Sequence, residues 1–322
     1  MSLTRLRQKR KIAVVALAAA GLTVGTAAVF AAATPVPVKT SPRNEITPAA
    51  GDDWLAWSQS RQGRPKVFDV FAQQTGRPAF KVNPKGSQAF LGGIDGTMLV
   101  YQLLRGKLRS DLRLFDLTTR RHRPVPAGIN TSKWECCATV SGGWILFDRG
   151  ETYSRDTQMV LLRNLATGEQ RVLDVLQNRR GLVTAGQVNG NFAVWRRCNP
   201  HPRCRVFRYD LATASATALP VPQGKIPYGP SVNTHGIVFY GQSNPGCGKS
   251  VQLVKQPVSG PPEILASLPQ GRDVGTTYAH QISTKPQREL ITTRIYYDFI
   301  RCKGSKWDIF SIDTTDRIPL PP

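Results

Sequence analysis

One phrase recurs six times from residue 45 to the C-terminal end. It comprises a small-residue turn, an apolar run ending on or near an aromatic, a polar basic stretch, and a second run that closes in a Thr-Gly-like turn. The first runs read WLAW (54–57), MLVY (98–101), WILF (144–147), FAVW (192–195), GIVF (236–239) and the more degenerate LITT (290–293). Their last residues lie 44, 46, 48, 44 and 54 positions apart. A mid-forties period with several short strands per unit is what propeller blades produce. A lone four-stranded blade has two apolar faces and buries both only by stacking with others around an axis, which is why runs such as WILF are apolar throughout rather than alternating.

After the N-terminal stretch no segment sustains the i, i+3, i+4, i+7 spacing of a helix, whereas β-branched and aromatic runs bounded by Gly, Pro, Asn and Asp are frequent. The expected fold is an all-β, six-bladed β-propeller over residues 45–322, with four antiparallel strands per blade. Residues 1–33 carry Arg5, Arg7, Lys9, Arg10 and Lys11, then an Ala/Val/Leu-rich stretch ending in small residues. That is the pattern of a signal peptide, or of an N-terminal anchor if it is not cleaved. Residues 34–44, rich in Pro, read as an extended linker. The chain is therefore expected to be secreted or extracytoplasmic and associated with the cell envelope.

At the level of the repeat the chain resembles the TolB-like, WD-related six-bladed propellers of secreted bacterial proteins. The resemblance lies in YDLATA (209–214), NLATGE (164–169), FDLTTR (115–120) and WDIFSIDTTD (307–316), which look like that family's third strand and following turn. The family's Trp-Ser-Pro-Asp-Gly signature is absent, and no functional residue carries over. What the resemblance implies is an extracytoplasmic propeller that binds other macromolecules.

Six cysteines in an exported chain point to disulfides. Cys198 and Cys204 flank one expected hairpin, and Cys247 and Cys302 occupy equivalent loops of adjacent units. Cys136 and Cys137 must either form a vicinal disulfide or pair elsewhere. No CxxC pair exists and only His201 lies near a cysteine, so neither a metal nor a cofactor is expected.

GCGKS (246–250) ends like a phosphate-binding loop but has Ser243 where the first glycine belongs. There is no G-x-S-x-G elbow, the four histidines fall in different units, and calcium-loop spacing is missing. The remaining signal is charge. The formal net charge is +22, of which five positive charges belong to residues 1–33. Loops joining second to third strands emerge on one face of a propeller. Those six stretches contain 15 Lys and Arg against 5 Asp and Glu. Arg61, Arg64, Lys66, Arg105, Lys107, Arg109, Arg196, Arg197, Arg203, Arg301 and Lys303 contribute, and Arg121, Arg123, Lys133, Arg179 and Arg180 join them from the connections. Phe90, Trp134, Tyr228 and Tyr278 open the expected inner strands and could ring the channel mouth on that face.

Two functions follow. The main expectation is a monomeric, non-catalytic binding module whose basic face engages an anionic cell-wall or membrane-surface polymer, or an acidic protein partner, with no specific nucleic acid. The alternative is an envelope hydrolase or lyase acting at the channel mouth, with Glu135, His280 and Asp95 as first candidates.

Overall fold

Strand β1 (Val36–Lys39) is followed by a succession of antiparallel meanders in the computed structural model, which describes residues 34–106, 109–150, 157–177, 180–285, 290–302 and 306–317. Residues 1–33, Lys107, Arg179 and Lys303 lie outside that set. The first meander is β2 (Glu45–Gly51), β3 (Trp54–Arg61), β4 (Arg64–Gln74) and β5 (Phe80–Lys81). The second is β6 (Ala89–Asp95), β7 (Met98–Leu104), β8 (Ser110–Asp116) and β9 (Arg121–Arg123). The third is β10 (Trp134–Ser141), β11 (Trp144–Gly150), β12 (Gln158–Asn164) and β13 (Gln170–Leu176). The fourth is β14 (Leu182–Asn189), β15 (Phe192–Cys198), β16 (Cys204–Asp210) and β17 (Ser215–Leu219). The fifth is β18 (Ile226–Val232), β19 (Val238–Ser243), β20 (Gln252–Gln256) and β21 (Glu263–Ser267). The last is β22 (Arg272–Lys285), β23 (Leu290–Arg301) and β24 (Trp307–Arg317), with β1 as its outer strand.

The described residues contain no helix. First strands pack in succession, β2 on β6, β6 on β10, β10 on β14, β14 on β18 and β18 on β22, and β22 returns to β2. The apolar cores lie between successive sheets, as a stacked architecture requires. Val100, Leu112 and Leu114 of the second meander interleave with Ala138, Ile145 and Phe147 of the third. Leu146 and Leu162 of the third meet Val183, Trp195 and Tyr209 of the fourth. The aromatics that end the repeated runs are buried in these layers, with Trp57, Tyr101, Phe147 and Trp195 each no more than 4% exposed.

Each first strand carries a β-bulge at the same level, and β22 has a second register shift between Gln281 and Ser283. The register slips by one residue between Ile46 and Ala49, Leu91 and Gly93, Cys136 and Thr139, Ala185 and Val188, Tyr228 and Ser231, and Val274 and Thr277. An extra residue bends the strand and lets its backbone approach the neighbouring sheet closely. Glycine occupies that place at Gly92, Gly186, Gly229 and Gly275. A Cβ on Gly186 would run into the carbonyl oxygen of Pro230 on the next inner strand, and also into Val194 O at 2.9 Å. Both obstacles are backbone and cannot swing aside. Gly186→Ala is therefore expected to lower stability by about 2–3 kcal/mol, measured as a drop in the urea midpoint at unchanged slope.

A polar side chain just after the buried aromatic stitches each of several bulges to the next sheet. Ser58 Oγ accepts from Leu91 N at 2.7 Å and Asp148 Oδ1 from Ala185 N at 2.6 Å. Asp298 makes the fullest stitch, at the seam between last and first meanders. Its Oδ2 accepts from Thr47 N (2.9 Å) and Thr276 Oγ1 (2.8 Å), and its Oδ1 from Gly275 N (3.0 Å) and Thr276 N (2.7 Å).

Two expectations about segments change. Residues 34–44, read as a linker, contribute β1, which pairs antiparallel with β24. Pro37 is tolerated because β1 is an edge strand, where a missing N–H need break no ladder bond. The stretches read as basic loops are shorter than expected: β3 runs to Arg61, β7 to Leu104, β15 to Cys198 and β23 to Arg301. The strands continue past the aromatic into polar residues, of which Ser58, Asp148 and Asp298 are buried and bonded to the neighbouring sheet. The sixth repeat is the most displaced, since the LITT run opens β23 and its buried aromatic is Tyr297.

Candidate functional site

Gln187 and Tyr278 close the axis midway. Tyr278 Oη donates to Ile94 O (2.6 Å) and accepts from Ile94 N (3.2 Å). Gln187 Nε2 donates to Ala279 O (2.9 Å), while its Oε1 accepts from Ala279 N (3.0 Å) and Val232 N (3.3 Å). Side chains from separate meanders thus bond across the channel and leave a pit toward each end of the inner strands.

The pit at the ends of the inner strands has a volume of about 260 Å³. Every meander supplies a polar group there, from the end of its first strand, the turn that follows or, in the last meander, the strand itself: Asp52, Asp95, Ser141, Asn189, Thr234 and the His280-Gln281 pair of β22. Asp95 is fixed by the next meander, its Oδ2 accepting from Gly142 N at 2.9 Å. Asn189 Nδ2 donates to Val232 O at 3.1 Å, and Ser141 Oγ accepts from Gly190 N at 3.2 Å. His280 is half-buried, and burial pushes its pKa down; Asp52 pulls it up and Arg294 pushes it further down. The net direction is downward, so the imidazole stays neutral at neutral pH. A neutral imidazole beside a carboxylate can take a proton and have the resulting charge stabilised.

The second pit, of about 300 Å³, is lined at the level of the bulges by Phe90, Gln102, Cys137, Arg196, Thr276 and Tyr278 among others. Cys137 stands here, and Cys136 lines the adjoining cavity, both as free thiols with their sulfurs 2.9 Å apart. The expected vicinal bond is not formed at that separation, since a disulfide requires about 2.05 Å. The other two pairs are bonded as expected, Cys198 to Cys204 and Cys247 to Cys302. Two disulfides accord with an oxidising, extracytoplasmic location. No helix among the described residues is long and apolar enough to cross a membrane.

Of the catalytic candidates, Asp95 and His280 meet at one mouth. Glu135 does not join them. It is fully buried and accepts from Arg149 Nε (3.1 Å) and from Thr131 Oγ1. Asp52, Thr234 and Gln281 were missed, although the repeated turns (GDD, IDG, SGG, VNG, NTHG) already carried a polar residue beside glycine.

The basic set disperses. Arg105, Arg109 and Arg113 all turn to Asp111, at 3.0, 3.6 and 3.6 Å. Arg61 and Lys81 converge on Asp69, at 2.8 and 2.9 Å, and Arg197 pairs with Asp174. Arg203 and Arg301 are exposed. Arg196 is not on a loop at all but in the second pit, 5.6 Å from the Tyr228 ring and donating to Pro227 O at 3.1 Å. Phe90 lies in the same pit and Trp134 lines an adjoining cavity, but Tyr278 is buried in the plug between the pits.

No protein-family model matches the chain, and no curated protein matches it. Solved structures do. A puromycin hydrolase S511A mutant complexed with PGG is 13% identical with a TM-score of 0.50, covering 86% of this chain and 50% of that one. An oligogalacturonate lyase in complex with manganese is 10% identical with a TM-score of 0.47, covering 79% and 73%. The β-propeller domain of the Trilobed protease from Pyrococcus furiosus is 9% identical with a TM-score of 0.46, covering 85% and 95%. The chain spans about half the length of the hydrolase and peptidase chains it matches, 50% and 55% in two of them. These likenesses concern the fold: the chain is an all-β protein of β-propeller type. The expectation of a non-catalytic binding module is corrected: the solved structures described above are those of a hydrolase, a lyase and a protease domain, and at 9–13% identity the likeness to them is one of fold alone.

Proposed function

We propose that the chain is a six-bladed propeller enzyme, a hydrolase or lyase, whose active site is the axial mouth that holds Asp52, Asp95 and His280. The observation that carries the reading is the convergence there of a neutral, half-buried imidazole and two carboxylates, each from a different meander. Acid–base chemistry needs a base whose pKa lies near or below the working pH and a fixed partner for the charge it acquires. His280 is the base and Asp52 the partner. Asp95, held by Gly142 N, is a fixed acceptor for a substrate hydroxyl or amide.

His280 takes a proton either from water, which then attacks the substrate, or from a carbon made acidic by an adjacent carboxyl or carbonyl, which leads to elimination. Products separate the two routes, since hydrolysis adds one water to the sum of the fragments and elimination adds none. The large positive charge favours anionic oligomers of envelope polymers as substrates. The test is turnover of a panel of acidic and neutral oligosaccharides and short peptidyl amides by the wild type and by the Asp52→Asn/Asp95→Asn double variant, with products read by mass. Turnover of at least one class, lost in the double variant, is expected. A folded wild type inert on every class, or a fully active double variant, contradicts the proposal.

A further inference from the structure

Cys137 occupies the bulge position of β10, where four of the other first strands carry glycine, and it does so at φ +57°. Consecutive side chains in a regular strand point to opposite faces. The bulge cancels that alternation and brings the Cys136 and Cys137 sulfurs to 2.9 Å. Asp148, on the paired strand β11, is nine-tenths buried and held by Ala185 N through Oδ1. Its other oxygen is thereby aimed at Cys136 Sγ, 3.9 Å away. The three donor atoms all lie within 4.8 Å of one another.

We propose that Cys136, Cys137 and Asp148 form a binding site for a thiophilic divalent metal ion of the zinc class, with a fourth coordination position open to the axial pit. Tetrahedral zinc with Zn–S bonds of about 2.3 Å places two sulfurs about 3.8 Å apart. The sulfurs need part by only about 0.9 Å, a small change in side-chain torsion. Two thiolates and a carboxylate carry three negative charges. A divalent ion and the neighbouring Arg196 guanidinium cancel them, so the cluster, in which Asp148 is buried and Cys137 faces the pit, is neutral when loaded. Without a metal the same crowding acts against the ligands' charged forms. Binding therefore releases protons and strengthens with rising pH. The bond from Ala185 N fixes the carboxylate as an outer-shell partner fixes a metal ligand. A bulge, rather than a CxxC spacing, brings the sulfurs together, so no ligand motif marks the site.

The test is titration of the reduced, untagged protein with Zn²⁺ by calorimetry and with Cd²⁺ by its thiolate-to-metal charge-transfer absorbance. The expected result is one equivalent bound. The charge-transfer band should fall to background in Cys137→Gly and in a Cys136→Ser/Cys137→Gly double variant, and Asp148→Asn should weaken binding by roughly tenfold or more. Cys137→Gly keeps the protein foldable, since glycine is the residue used at this place in most of the other first strands, and its thermal unfolding verifies that. A reduced wild type that binds no metal, an equal titration in Cys137→Gly, or a Cys136–Cys137 bond that no reductant opens in the folded protein overturns the site.

Discussion

Asp298→Ala is expected to cost about 3–5 kcal/mol of folding stability, the loss typical of a broken buried charge network. The carboxylate is only 2% exposed and is surrounded by three backbone N–H groups and one hydroxyl, from Thr47, Gly275 and Thr276. Burial raises its pKa, and the four donors act in the opposite direction. Alanine leaves those part-buried donors without their acceptor. The damage falls on the seam where β22 and β23 meet β2, so the loss reaches the packing of the last meander on the first rather than one hairpin. Asp298→Asn keeps one acceptor but turns an NH₂ toward N–H donors, and should fall between wild type and alanine. Urea unfolding at fixed pH measures both. A loss under about 1 kcal/mol for alanine, the worth of one ordinary hydrogen bond, would show that the seam does not depend on this stitch.

The second large effect is catalytic. Replacing His280 with Gln, which keeps a polar group of similar reach but cannot act as a base, should lower kcat/KM by roughly 10²–10⁴-fold on whichever substrate class turns over. Thermal stability at neutral pH should change little, because His280 is neutral in the folded state and lies at a solvent-lined mouth. The sign of its linkage follows from a folded pKa below the unfolded value. The unfolded chain binds the proton more tightly, so the contribution of His280 is intact above about pH 6.5 and is lost as pH falls below it. His122 and His235 are shifted the same way by burial.

How far the sequence reveals this molecule depends on which face a residue borders. Trp57, Tyr101, Phe147 and Trp195 were legible because a side chain buried between two sheets must be large and apolar in every unit, and it recurs with the period of the fold. The bulges were not. The chain meets the same backbone demand with Thr47, Gly92, Cys137, Gly186, Gly229 and Gly275, and only the shared register slip makes them equivalent. The last meander was misread because β23 is long and Ile291, Ile295, Tyr297 and Phe299 all lie in its core, so the LITT run at its start stood in for the run that ends on Tyr297. β1 was hidden by its prolines, which an edge strand tolerates.

The site was legible in part. Asp95 and His280 are residue types suited to acid–base work, and the structure brings them to one mouth. Their mouth is at the ends of the inner strands, whereas the basic stretches and Arg196 belong to the level of the bulges or beyond. Which end of a strand a turn residue occupies is a matter of topology. Which arginines find a carboxylate, as Arg105 finds Asp111, is a matter of side-chain packing. Neither is encoded in local spacing.

The pH dependence of kcat/KM, compared between wild type and His280→Gln on the substrate class that turns over, tests the axial mouth most directly. The wild type should show an acid limb of unit slope centred below the ordinary histidine value of about 6.5, and the variant should be slow and lack that limb. A variant that keeps both the wild-type rate and the limb would place the chemistry elsewhere in the molecule.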